Sequence, residues 1–164
     1  MSKWKCSEEN KKFNKFFDIL NLATIIIVTL VTIKFWSILP GKIPSHYGLN
    51  GNVDAYGSKN TVFIIIPFMI GLYLLFRFAA NRPYIGNYTV KITPLNRDNQ
   101  YNLVSKFLRV FCFEMLILFT YVQFNIIYST VTKNGHISLI FIPFILFILI
   151  LSTVIYVKKS KALK

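Results

Sequence analysis

The sequence predicts an all-α integral membrane fold: a four-helix bundle with both termini cytoplasmic and a shaped outer loop between its first two helices. Three observations predict it. The 164-residue chain is 54% apolar with a mean hydropathy of +0.52, too greasy for water unless most apolar surface is hidden. The apolar residues fall in four long runs, and the charges lie between those runs. A net charge of +13, from 19 Lys and Arg against 6 Asp and Glu, then marks sidedness. A compact soluble enzyme is excluded. So is a nucleic-acid binder, because no folded basic domain remains to carry the charge.

The runs cover 16–39, 62–80, 107–131 and 137–157, and the whole chain 1–164 reads as one four-span domain. A helix of about 20 residues crosses a hydrocarbon core about 30 Å thick. Each backbone amide in lipid must be satisfied within its own segment, so even Ile25-Ile26-Ile27-Val28 is expected to be helical. Pro67 and Pro143 stand in similar Ile-Pro-Phe settings of spans two and four, where each is expected to kink its helix. Such an echo is compatible with parallel repeats, although chance accounts for it in so biased a sequence.

Fifteen of the basic residues fall on one side: Lys3, Lys5, Lys11, Lys12 and Lys15; Arg77, Arg82, Lys91, Arg97, Lys106 and Arg109; Lys158, Lys159, Lys161 and Lys164. Only Lys42, Lys59 and Lys133 fall on the other, while Lys34 lies inside the first span, expected to snorkel beside Trp36. Under the positive-inside rule the crowded side is cytoplasmic, which predicts a multi-pass protein of the cell membrane. The first run is too long for a signal-peptide core and lacks a small-residue cleavage site, so it reads as an uncleaved span. Cys6 and Cys112 fall on or near the reducing side and are expected to be free thiols.

The outer loop, 39–59, uses about 20 residues where a few suffice to join two helices. Two prolines, four glycines and Asn50-Gly51 mark sharp turns within it. It also carries His46, Asp54, Tyr56 and Lys59, the candidate ligand-binding residues, while Asp54 and Ser58 are candidate caps of the second helix. The cytoplasmic loop, 81–105, has β-formers around Gly86-Asn87, the pattern of a short hairpin, before a helical lead-in to span three.

Leu39, Pro40, Ile43, Pro44, His46, Gly51, Asp54, Gly57 and Lys59 together form a pattern. It resembles the signature of the bacterial membrane family called domain of unknown function 1648, a domain shared with Sdp-type toxin-immunity proteins. A second stretch, Asn87-Tyr88-Thr89-Val90-Lys91-Ile92-Thr93 with Asn96 and Gln100-Tyr101, is similar to another family segment. There the common form has Pro at the place of Thr89 and acidic residues at Pro94-Leu95. The resemblance implies a four-helix membrane protein and little about activity.

Within the spans, Asp18 reads as an interfacial partner of Lys15, and Lys106 and Arg109 as headgroup anchors. Glu114 lies deeper in span three and is the candidate for a structural hydrogen bond, a ligand contact or a proton relay. His46, Asp54 and His136 fall in outer loops and are the residues that could hold zinc open to water, but no paired-ligand spacing demands it, so no cofactor is expected. No nucleophile elbow, phosphate loop or dinucleotide fingerprint occurs. The reading preferred is a non-enzymatic immunity or accessory factor that recognises a peptide or toxin at the outer face. The alternatives are a small transporter or channel subunit using Glu114, and a metal-dependent membrane hydrolase. Partners beyond the lipid bilayer are then a peptide, another membrane protein or further copies of the chain.

Overall fold

The computed structural model describes residues 4, 6–134, 136 and 138–163. Lys3, Lys5, Lys164 and Ile137, used above for charge and for a span boundary, lie outside the described residues. The first helix, α1, runs Glu8–Trp36. It begins well before the apolar run, because the Ser7 side chain accepts from Asn10 N at 3.2 Å and Glu8 and Glu9 suit the positive end of the helix. Strands β1 (Lys42–Tyr47) and β2 (Val53–Ser58) follow. A 3-10 turn at Lys59–Phe63 leads into α2, Ile65–Asn81. After a short 3-10 turn at Pro83–Ile85 come α3, Arg97–Thr132, and α4, Phe141–Ala162. Lys133, at φ 54°, takes the left-handed conformation that ends α3.

Among the described residues four helices are long and apolar enough to cross a membrane, the second counted with its preceding 3-10 turn. Their flanks expose Ile26, Leu30, Ile33, Leu75, Phe147 and Ile150. Apolar surface on that scale belongs against lipid, and the chain is a multi-pass membrane protein. Thr hydroxyls inside the helices, such as those of Thr24, Thr29, Thr120 and Thr153, donate to the carbonyl four residues back and so bring no unsatisfied donor into lipid.

Three expectations are revised. The fold is mostly helical rather than all-α, since the loop after α1 forms a two-stranded antiparallel sheet. Pro67 and Pro143 each occupy the third position of a helix, where the missing N–H has no intrahelical partner to lose; they start α2 and α4 instead of kinking them. The expected four-helix bundle resolves into three helices and a flanking fourth. Residue packing joins α3 to α1, to α2 and to α4, whereas α4 makes no comparable contact with α1 or α2 among the described residues. One apolar cluster unites Ile25 and Val28 of α1, Met69 and Tyr73 of α2, and Cys112 and Leu116 of α3. Only Ile145, Leu149 and Ser160 of α4 are buried.

The loop between α2 and α3 contains no strand among the described residues, so the expected hairpin at Gly86-Asn87 is absent. Side-chain bonds hold it as a fitted connection instead. Tyr88 OH donates to Pro83 O at 2.6 Å, and Thr93 and Asn96 bond reciprocally through side chain and backbone. Buried Gln100 donates to Ser160 O at 2.7 Å and accepts from Ser160 Oγ at 2.8 Å, while Thr89 and Ser160 hydroxyls meet at 3.1 Å. Thr89, Thr93, Asn96 and Gln100 belong to the second family-like stretch, and they fix the loop against the ends of α3 and α4.

Candidate functional site at the hairpin end

The loop 39–59 forms its hairpin because the turn chemistry at one end and an apolar anchor at the other agree. Gly51 sits at φ 79°, a conformation that glycine reaches without Cβ strain. Gly48 N donates to Asn52 O at 2.9 Å, Gly51 N to Gly48 O at 2.9 Å, and Asn50 Oδ1 accepts from Asn52 N at 3.1 Å. At the other end Ile43 is buried with Leu39, Val62 and Ile127, and Val31 and Phe35 of α1 pack against that cluster. Tyr47 adds a polar tie, its hydroxyl 2.6 Å from Ser129 Oγ of α3. Burial holds the Tyr47 phenol above its ordinary pKa, with the Ser129 contact working the other way.

The ladder is irregular at the chemically interesting point. Lys42 pairs with Ser58, Ile43 with Gly57 and Pro44 with Tyr56, but the register then shifts on both sides of His46, which pairs with Ala55. These shifts are bulges, which redirect side chains that strict alternation would separate. His46 Nδ1 and Asp54 Oδ1 lie 2.6 Å apart, with the two side chains 69% and 50% exposed. An exposed pair of this kind contributes under about 1 kcal/mol to stability. Asp54 is thus a partner of His46 and not a helix cap. Ser58 does cap, accepting from Asn60 N at 3.4 Å at the start of the 3-10 turn.

Of the other sequence-predicted residues, Lys59 places its ammonium 4.3 Å from the centre of the Trp36 ring, a cation–π contact. Lys34, expected beside Trp36, instead lies 5.9 Å from the Phe35 ring centre. Tyr56 is exposed on β2. His136 reaches the hairpin only through an isolated backbone bridge to Asn52, and among the described residues no group of three His, Cys, Asp or Glu is arranged to hold a metal ion. Glu114 is remote from the hairpin. It accepts from Ser152 Oγ across the α3–α4 contact, and its other carboxylate oxygen is buried without a partner.

Asp18 and Arg109, read from sequence as interfacial groups, join with Asn14, Asn81 and Ser105, which were not singled out, in a polar network near the opposite end. Arg109 is 4% exposed, contrary to its expected place among lipid headgroups. It donates to Asp18 Oδ1 at 2.9 Å, Asn81 Oδ1 at 2.6 Å, Ser105 Oγ at 2.7 Å and Ser105 O at 3.1 Å. Asp18 therefore pairs with Arg109 instead of Lys15, and its second oxygen lies 3.9 Å from Arg77 Nε. Asn14 donates to Ser105 Oγ and Asn21 to Arg109 O, so α1 is tied to α3 by side-chain amides. Near the hairpin Gln123 donates to Thr32 Oγ1 at 2.8 Å and Val62 O at 3.0 Å, a second polar clasp. A signal existed in the sequence: Asn14, Asn21, Val28 and Thr32 recur on one face of α1 at helical spacing.

No solved structure gives a significant match to the chain. An uncharacterized protein of Archaeoglobus fulgidus is 24% identical over 144 residues, covering 79% of this chain and 78% of its own. Residues 23–71, which hold the second half of α1, the whole hairpin and the start of α2, match the family described as Domain of unknown function (DUF1648).

Proposed function

We propose that the protein is a non-enzymatic component of a bacterial cell membrane, with both termini in the cytoplasm, and that its hairpin recognises a peptide or peptide toxin outside. The observation that carries this reading is the exposed His46–Asp54 pair on a hairpin braced against α1 and α3. A solvent-exposed hydrogen-bonded pair that adds little to stability is open to exchange its partner for a ligand. Among the described residues β2 pairs only with β1 in the sheet, apart from the single bridge of the adjoining Asn52 to His136, so its far edge offers backbone donors and acceptors to an extended peptide. Tyr56 supplies an exposed aromatic surface on the same strand. The orientation is supported by the charge asymmetry of the loops. The resemblance of the loop pattern Leu39 to Lys59 to a signature shared with Sdp-type immunity proteins is what suggests protection as the role.

The test is a protection assay. Sensitive cells expressing the protein are challenged with a panel of secreted membrane-active peptide toxins, and survival is compared with that of cells carrying His46→Ala or Asp54→Ala. Protection by the parent chain and its loss in both variants, at equal amounts in the membrane, is the expected outcome. Equal killing with and without the parent protein overturns the proposal.

A further inference from the structure

A cavity of about 480 Å³ opens between α1 and α2 at the end away from the hairpin. Lys11 and Lys15 of α1 and Arg77 of α2 contribute to its wall. The one carboxylate lining it among the described residues, Asp18, is shared: Arg109 holds one oxygen at 2.9 Å and Arg77 Nε lies 3.9 Å from the other, so two cations face one anion. Lys11 is held at 2.6 Å by Glu8, an exposed pair, while Lys15 has no ion-pair partner among the described residues. The wall therefore carries surplus positive charge. Trp4 also lines the cavity, and its Nε1 is buried with no hydrogen-bond acceptor among the described residues. A buried donor without a partner is uncommon in a folded protein.

The polarity of the cavity changes along α1. Lys11, Lys15, Ile19 and Leu22 follow one another at spacings of one helical turn, and all four line the cavity. Ile19 and Leu22 are exposed and lie on the apolar flank of the helix. A ligand that fits such a wall has an anionic head and a hydrocarbon tail, and the membrane itself supplies one. We propose that this cavity binds an anionic phospholipid, with its phosphate held by Lys15 and Arg77 beside the Trp4 N–H and its acyl chain lying along Ile19 and Leu22. Basic recesses between membrane helices suit such headgroups because coulombic attraction and hydrogen bonding act together in a low-dielectric setting.

Trp4 makes the site measurable. In a Trp36→Phe background its fluorescence alone reports, and the full-length protein is reconstituted in vesicles of phosphatidylcholine containing brominated phosphatidylglycerol or, separately, brominated phosphatidylcholine. Brominated phosphatidylglycerol is expected to quench about twofold more at equal mole fraction. The Lys15→Gln/Arg77→Gln variant is expected to lose this preference, and Lys158→Gln/Lys159→Gln to keep it. Unchanged circular dichroism and unchanged Trp4 emission in bromine-free vesicles establish that the variants fold. Equal quenching by the two lipids overturns the proposal. So does a preference that survives Lys15→Gln/Arg77→Gln, which assigns it to general surface charge. Loss of the preference in millimolar inorganic phosphate also overturns it, assigning the site to a free anion.

Discussion

Arg109 shows how much one side chain can organise when four of its five N–H donors are used. Its guanidinium joins α1 through Asp18, α2 through Asn81 and its own helix through Ser105. Removing one member of a buried ion pair leaves the other charge uncompensated, at about 3–5 kcal/mol. Arg109→Ala is accordingly expected to lower the unfolding midpoint in detergent steeply, and adding Asp18→Asn is expected to restore part of the loss. If the double variant is as unstable as the sum of the singles, the two residues are not coupled as described. This pairing was only half legible in the sequence. Position told that Asp18 and Arg109 approach the same end of the molecule, but Lys15, three residues from Asp18, was the nearer candidate along the chain. Sequence distance could not reveal that α3 delivers a guanidinium to the inward face of α1 while Lys15 lines a cavity. His46 and Asp54 were legible as a polar pair of candidates; their contact was not, because it depends on two bulges.

At the scale of elements, the helices were readable because lipid removes alternatives to intrasegment hydrogen bonding. Their ends were less so. α1 and α3 extend through polar residues such as Asn10, Asn14 and Gln100, which serve as contacts between elements and carry no apolar periodicity. The hairpin was foreshadowed by its turn residues and not by its strands, since Pro44 and the bulges break the two-residue alternation on which strand recognition depends. Gly51 tests the turn. A Cβ in the left-handed region costs roughly 1–2 kcal/mol, so Gly51→Val is expected to speed amide hydrogen exchange across 42–58 by about tenfold. Exchange in α2 is expected to stay as it was. Uniform acceleration throughout the protein would instead make the hairpin part of one cooperative unit with the helices.

For the whole molecule, the proposed orientation rests on the distribution of basic residues and can be read directly. Asn50→Cys, in a chain with Cys6 and Cys112 replaced by Ala, puts a single thiol at the hairpin tip. In intact cells it is expected to react fully with a membrane-impermeant maleimide, and labelling only after lysis reverses the topology. The three-plus-one arrangement of the helices has a further consequence, in the order of assembly. Every residue of both apolar clusters, and every member of the Arg109 network, precedes Lys133. Chains fold from the N-terminus as they are synthesised, so the unit made by α1, the hairpin, α2 and α3 has all its internal partners before α4 leaves the ribosome. α4 then arrives as a latecomer to a finished surface, docking along α3 and fastening where Ser160 meets Gln100. Until it does, the flank of α3 that bears Glu114 is uncovered, and for that interval the nascent protein holds a carboxyl whose hydroxyl partner, Ser152, has yet to reach it.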